Sequence, residues 1–204
     1  CDASPKAGLN RGKVWLGIET RSGEEMIARY ERVALLPCAG DAPGHSDEIP
    51  GPMDPASLDS WTSLVPSWDV SLLPETAWVV GEERHDPLAD HVDLAPALAR
   101  FTFNQAAIHR DLEASSFGER LVYGGHTQGL AQASLTRLLP GLATVLGWDG
   151  CDHLGPVFEG DRLSFRHILK EEFSLQDGRI LRFETRASRD GEDVLLWTPI
   201  VVAV

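Results

Sequence analysis

The stretch that decides the fold is LVYGGHTQGLAQASLTRLLPG, residues 121–141. Gly124 and Gly125 lie near its start, and Pro140 and Gly141 lie at its end. These residues are typical start and stop signals of a single helix. Apolar residues recur along this run, and just beyond it, at the spacing of one helix face. They are Ala131, Leu135, Leu138, Leu139 and Leu142. The pattern predicts one long helix with an apolar face.

The chain after this helix has the two-residue period of β-strands. Residues 181–187 alternate between mostly apolar and charged side chains, which is typical of a half-buried strand. The pairs Asp177-Gly178 and Asp190-Gly191 are strong turn signals. We therefore expect an antiparallel meander of three or four strands with the helix packed across one face, an α+β fold. Before the helix, residues 101–104 are short and β-prone.

Two segments of the chain resemble each other. Residues 17–36 and 182–204 each run from Glu-Thr-Arg through a polar turn with glycine into a long apolar strand. Each predicts a β-hairpin, because glycine at the tip permits a positive φ. Either all hairpins share this likeness, or the fold is duplicated and residues 1–37 are the terminal hairpin of a preceding, incomplete copy. On the second interpretation residues 38–77 are a linker and residues 78–204 form the complete domain.

The composition narrows the classes of function. The net charge is −13 over 204 residues, so the chain lacks the basic face that nucleic acid requires. No apolar run is long enough for a membrane span, and no signal peptide opens the sequence. The three cysteines, Cys1, Cys38 and Cys151, have neither the pattern of a disulfide framework nor the spacing of zinc ligands. We expect a cytoplasmic protein.

Three motifs occur in order around the helix. FTFNQAAIHRD spans residues 101–111, VYGGH spans 122–126 and GPVFEGD spans 155–161. Together they resemble the MaoC-like hydratases and dehydratases, and most of all the branch that contains mesaconyl-CoA and itaconyl-CoA hydratases and mitochondrial hydroxyacyl-thioester dehydratases. The resemblance implies a hot-dog fold, an antiparallel sheet wrapped around the helix, within a double hot-dog. It also implies the addition or removal of water across the α,β bond of an acyl thioester.

One departure from the family pattern affects the chemistry. Where these enzymes usually carry Asp, this chain has Asn104, which cannot titrate. His109 is then the one ionisable catalytic residue, and histidine ordinarily titrates near neutrality. Asn104 would hold the water or the substrate, and the N–H of Gly124 at the helix start would polarise the thioester carbonyl. The alternatives are that Asn104 and His109 are a buried polar pair that fixes a loop, and that Gly124 merely begins a helix.

Further side chains are candidates for contact with the substrate. Two of them, Tyr123 and Trp148, are either walls of an acyl pocket or core residues. The full set of substrate-binding candidates is Tyr123, Gly125, His126 and Trp148.

Other polar residues carry weaker interpretations. His126, Asp152 and His153 do not have the spacing of a known metal-ligand set, and we expect no metal. Arg110 and Arg120 are either contacts for the phosphates of coenzyme A or plain surface residues.

The sequence therefore predicts a hydro-lyase of fatty acid metabolism that acts on enoyl-CoA or 3-hydroxyacyl-CoA. Water is the second reactant and coenzyme A is part of the substrate, so no cofactor is expected. The alternatives are a catalytically degenerate hot-dog that binds acyl-CoA or serves as a scaffold, which the missing Asp favours, and a hot-dog thioesterase, which the hydratase motifs disfavour. A homodimer, or a pseudo-dimer with another hot-dog copy, would close the open sheet edge.

Overall fold

The computed structural model describes residues 11–37 and 54–204. The chain divides after Asp54 into two compact units. Parts of our predictions fall outside the described residues, namely those on Cys1, Cys38 and residues 38–53.

The first unit contains an antiparallel hairpin of strands β1 (Arg11–Ser22) and β2 (Glu25–Pro37). Gly23 at its tip has a φ of 61°, which glycine adopts without strain. The hairpin predicted over residues 17–36 is confirmed.

The second unit is a six-stranded sheet with one long helix. The strand order is β3-β6-β7-β8-β5, and the short β4 also pairs with β6. All the strand pairs in this sheet are antiparallel. The elements are β3 (Glu83–His85), β4 (Asp90–His91), α1 (Ala95–Phe101), α2 (Gly124–Leu138), β5 (Leu142–His153), β6 (Arg162–Ser174), β7 (Arg179–Arg189) and β8 (Glu192–Ala203). The predicted α+β architecture is confirmed, with β5 crossing to the far edge instead of extending the meander.

The core lies between α2 and one face of the sheet. Leu135 and Leu139 are fully buried against the inward residues of β7, among them Leu181 and Phe183. Strand β7 alternates as its sequence predicts, because successive side chains of a strand point to opposite faces. The predicted helix face is confirmed. The predicted half-buried strand is confirmed only from Phe183 to Ala187, because Ile180 and Arg182 on the opposite face of β7 are buried as well.

The opposite face of the sheet is partly covered by a segment that we predicted to be linker. Leu58, in a 3-10 helix at Leu58–Leu64, is buried against Ile180 and Ile200. The ring of Trp61 lies so close to Gly147 that a Cβ there would be 2.7 Å from it. The second compact unit therefore begins at Pro55, not at residue 78.

Arg182 fastens this covering segment to the sheet. Its side chain is nearly buried and its Nε donates to Oδ2 of Asp149 on β5 at 2.7 Å. Its terminal nitrogens donate to Glu171 on β6 and to the carbonyl of Ala56. One guanidinium thus joins three strands to the covering segment.

The two hairpins share a structural irregularity. In each, a two-residue turn is followed by two residue pairs and then by one extra residue on the second strand, Ile27 in β2 and Val194 in β8. Such β-bulges are specific features of a strand pair. The shared position is what a duplicated fold would produce. That the hairpin of β1 and β2 ends a preceding copy remains a prediction.

One local prediction was wrong. Residues 101–104 do not form a strand, because α1 ends at Phe101 and the chain then turns through Phe103, whose φ is 56°. The backbone N–H of Asn104 donates to the carbonyl of Ala99 at 2.8 Å, which folds this segment back onto α1. Local β-propensity is overridden here by these turn hydrogen bonds. Among the described residues, no helix is long and apolar enough to cross a membrane.

Candidate active site

His109 is held in one orientation by its own backbone surroundings. It ends a short 3-10 helix, Ala107–His109, and is half-buried. Its Nδ1 lies 2.9 Å from the carbonyl oxygen of Leu121. A carbonyl can only accept, so Nδ1 carries the proton in the neutral ring and Nε2 keeps its lone pair. This is the tautomer that a general base needs.

The side-chain oxygen of Asn104 is used in a local hydrogen bond, and its side-chain nitrogen is not. Its Oδ1 accepts from the backbone N–H of Ala106 at 3.0 Å, which forms a local turn. No described residue accepts a hydrogen bond from its amide nitrogen. Asn104 therefore fixes the loop, as one interpretation predicted, and still presents two N–H donors, as the other requires.

Gly124 begins α2, and its N–H has no hydrogen-bond partner among the described residues. Tyr123, at the N-cap position, provides no side-chain cap. A Cβ at Gly124 would lie 2.2 Å from Nε2 of His153, and one at Gly125 would lie 2.3 Å from the ring of Tyr123. At both positions a Cβ would displace a side-chain ring, so glycine allows these rings to pack on the backbone of α2. The unpaired N–H groups and the positive helix end remain available to an oxyanion.

Tyr123 links the histidine to the start of the helix. Its ring and that of His109 meet edge to face, with centroids 6.2 Å apart. Since the same tyrosine ring lies over Gly125, the structure brings together His109, Tyr123, Gly124 and Gly125. These residues come from two separate motifs of the sequence.

His126, at the start of α2, lines a cavity of about 350 Å³ beside α1 that is widely open to solvent. Only 8% of its surface is exposed, and burial lowers its pKa below the ordinary histidine value, although Asp93 and Glu159 act in the opposite direction. Its Nδ1 is buried with no hydrogen-bond partner among the described residues. His126 is therefore a neutral polar group that faces an otherwise apolar space.

Trp148 does not join this group. It lies in β5 opposite Pro199 and is 44% exposed, and none of the described ring contacts or hydrogen bonds connects it to the site. The two arginines are engaged within the chain. Arg120 pairs with Glu159, and Arg110 donates to the carbonyl of Gln105 at 2.9 Å.

His153 is the site residue that sequence reasoning missed. It ends β5, and its ring packs on Gly124. The sequence suggested it, with His126, as an imidazole at the mouth of a site in preference to a metal ligand, and did not predict its contact with Gly124. The described residues contain no group of three or more His, Cys, Asp or Glu side chains arranged to hold a metal ion. Nothing local in the sequence pairs the end of β5 with the start of α2.

A second cluster contains the residue types of a catalytic triad but not its geometry. Ser134 Oγ lies 2.6 Å from Oδ2 of Asp86 and 3.0 Å from Nε2 of His167, whose Nδ1 is 2.9 Å from Thr185 Oγ1. Arg137 also donates to Asp86. The carboxylate accepts from the serine and does not orient the imidazole, as a triad would require. Ser134 and His167 are fully buried, so this cluster joins α2 to the sheet.

Comparison with solved structures identifies proteins with a similar fold. No protein-family model and no curated protein matches the sequence. A conserved hypothetical protein from Mycobacterium tuberculosis, which is essential for bacterial survival during infection and has a double hot-dog fold, is 35% identical, with a TM-score of 0.73 over 98% of this chain and 66% of that one. A protein from Chloroflexus aurantiacus assigned as a MaoC-domain dehydratase is 20% identical, with a TM-score of 0.83 over 95% of this chain and 65% of that one.

A third solved structure matches a smaller part of the chain. An (R)-hydratase from Pseudomonas aeruginosa is 22% identical, with a TM-score of 0.52 over 62% of this chain and 82% of that one. These likenesses confirm the hot-dog fold, and MaoC-like dehydratases are among the structural neighbours. The chain spans 66% and 65% of the length of the first two proteins.

Proposed function

We propose that this protein adds or removes water across the α,β bond of acyl thioesters, as a hydratase or dehydratase. One observation carries the proposal. The hydrogen bond from Nδ1 of His109 to Leu121 leaves Nε2 as a base, and Tyr123 joins this imidazole to the helix start where the Gly124 N–H is unpaired. A base and an oxyanion donor on neighbouring elements are the two groups that the reaction needs.

The reaction requires only one titrating residue. In hydration, Nε2 of His109 removes a proton from water while the water oxygen bonds to the β-carbon. The electron pair of the α,β double bond moves toward the thioester, whose oxygen becomes an enolate and accepts from the Gly124 N–H. His109 then returns the proton to the α-carbon, and the enolate collapses to the thioester. The amide of Asn104, with its oxygen held by Ala106, would position the water as a donor.

The finer parts of the proposal rest on sequence motifs. Their resemblance to MaoC-like enzymes favours coenzyme A as the carrier and (R)-type stereochemistry, and it includes a branched dicarboxylic acyl group of the mesaconyl or itaconyl kind among the candidate substrates. Coenzyme A is then part of the substrate, and water alone completes the reaction, so the proposal includes no cofactor. A homodimer, or a pseudo-dimer with another hot-dog copy, and a cytoplasmic location also belong to the proposal.

The buried cluster bears on the thioesterase alternative. A thioesterase that used a serine nucleophile would need a serine reachable by substrate, and Ser134 is fully enclosed. A scaffold protein would not need a histidine whose Nε2 is held ready as a base. The proposed function accounts for it.

A short assay separates the three candidates. The full chain is incubated with crotonyl-CoA, following the loss of enoyl-thioester absorbance, and in parallel with butyryl-CoA and a thiol reagent. We expect loss of the enoyl band and formation of 3-hydroxybutyryl-CoA, without free thiol. Release of free thiol would support a thioesterase. Binding of both esters without any reaction would support a scaffold and contradict the proposal.

A further inference from the structure

The cavity beside α1 has a nearly apolar lining. Its walls are Leu94, Ala97, Leu98 and Phe101, with Asp93 at the rim and His126 from the first turn of α2. Leu94 and Phe101 are 70% and 82% exposed, so this wall of the cavity is open to solvent. An apolar wall with one convergent polar group is typical of a small-molecule pocket.

The surroundings of His126 fix where its proton lies. A proton on Nδ1 would leave a donor sealed in a site where no described residue can accept it, at the full cost of an unpaired buried donor. The neutral ring therefore carries its proton on Nε2, the nitrogen through which His126 can meet a ligand in the cavity. His126 is thus a donor, whereas His109, whose Nδ1–H is bonded to Leu121, is a base.

The charges near His126 restrict which acceptor it can meet. Asp93 lines the same cavity, and both Asp93 and Glu159 act on His126 as negative charges. Within residues 11–37 and 54–204, Glu159 forms an ion pair with Arg120, which compensates its charge. A ligand carboxylate would therefore meet the like charge of Asp93 and a neutral imidazole, so an uncharged oxygen is the favoured acceptor.

We propose that this cavity binds an uncharged acyl group that carries a hydrogen-bond-accepting oxygen, such as a ketone or hydroxyl, which accepts from Nε2–H of His126. The inference rests on the proposed function, because it takes the ligand to be an acyl thioester. It makes His126 a specificity-determining residue and disfavours the dicarboxylic acyl groups that the motifs suggest.

The test compares three saturated six-carbon CoA esters, which cannot be hydrated. They are hexanoyl-CoA, its analogue with a ketone one carbon from the end, and adipoyl-CoA, which ends in a carboxylate. Dissociation constants are measured by calorimetry on the full chain. We expect the keto ester to bind about three- to tenfold more tightly than hexanoyl-CoA, the share of one net hydrogen bond, and adipoyl-CoA to bind most weakly.

Two variants and one control locate the effect. His126→Leu should abolish the preference for the keto ester, and His126→Gln, which keeps a donor, should retain part of it. His85→Leu changes an exposed histidine on β3 and should leave all three constants unchanged. If either His126 variant fails to fold, the wild-type comparison of the three esters still decides.

The outcomes separate this inference from the proposed function. Equal binding of the three esters, tightest binding of adipoyl-CoA, no binding of any ester, or a keto preference that survives in His126→Leu would overturn the inference. Hydration of crotonyl-CoA is measured separately. Hydration without the keto preference would leave the proposed function standing, and the keto preference without hydration would leave an acyl-CoA binding site.

Discussion

The imidazole of His153 packs directly on the backbone of Gly124, and Nε2 is the ring atom nearest to the Cβ position of this glycine. A Cβ at Gly124 would come within 2.2 Å of that nitrogen, far inside van der Waals contact. His153 is exposed on one side, but the partial burial of its ring lowers its pKa, although the neighbouring Asp152 opposes the shift, so the ring is neutral near pH 7. The start of α2, which the proposed reaction uses as an oxyanion donor, therefore has a neutral histidine beside it.

This contact predicts the effect of Gly124→Ala. The new methyl group would displace the His153 ring and intrude on the space where the thioester oxygen must approach the N–H. We expect turnover to fall by at least about tenfold, since the loss of one oxyanion donor typically costs 10²–10³-fold. Turnover is measured as the rate of crotonyl-CoA hydration at saturation.

Gly129 supplies the matched control in the same helix. A Cβ there would touch nothing within 4 Å, so Gly129→Ala should leave turnover unchanged. It should also stabilise the protein by about 1 kcal/mol, because alanine is the better helix former. Equal behaviour of the two alanine variants in rate and melting would show that the contact with His153 has no bearing on the site.

Asn104→Asp tests what the amide contributes. A carboxylate can still accept from the Ala106 N–H, so the local turn and the melting temperature should be preserved. It replaces the two free N–H donors with a carboxylate oxygen, which cannot donate a hydrogen bond to the reacting water. We expect lower turnover at neutral pH. An unchanged rate and an unchanged pH–rate profile would place Asn104 outside the site.

The buried His167 predicts how stability depends on pH. Burial lowers its pKa to about 4, while the unfolded residue titrates near 6.5. The unfolded chain therefore takes up a proton first as pH falls. The stabilisation is complete above about pH 6.5 and is lost between about 6.5 and 4, by about 3 kcal/mol in all. Denaturant unfolding at several pH values measures this slope.

A paired variant assigns that slope to His167. Glutamine can donate and accept, so His167→Gln keeps partners for Ser134 and Thr185 but removes the titration. In this variant the free energy of unfolding should fall less steeply between about pH 6.5 and 4, because the contribution of His167 is absent. His91→Gln, at an exposed position on β4, should keep the wild-type slope. A His167→Gln variant with the wild-type slope would show that His167 does not titrate as proposed.

Much of the second unit could be predicted from the sequence because its signals are local. The helix face of Leu135 and Leu139 and the alternation of β7 each reflect a period that the backbone imposes on side chains. Tyr123 and Gly124 are neighbours in the VYGGH motif, and this motif predicted that the start of the helix lies at the site. The hydrogen bond that fixes the His109 tautomer could not be foreseen, since its partner is a backbone carbonyl that any residue at position 121 would supply.

The failures involve contacts between distant parts of the chain. The covering segment was predicted as linker because it is rich in Pro, Gly and Ser. Leu58 and Trp61 nevertheless pack it against the sheet, and Arg182 bonds to its backbone. His153 reaches Gly124 only through the crossing of β5 to the sheet edge. Trp148, a large aromatic on the same strand, was the more conspicuous candidate and lies outside the site.

The most direct test of the central claim is the hydration rate of His109→Ala, measured with its thermal unfolding on the same sample. Loss of the hydrogen bond to Leu121 should cost about 1 kcal/mol of stability, so the variant should remain folded at assay temperature. If His109 is the base, turnover should fall by about 10²–10⁴-fold with little change in substrate affinity. A variant that melts much earlier yet hydrates crotonyl-CoA at the wild-type rate while folded would contradict the account.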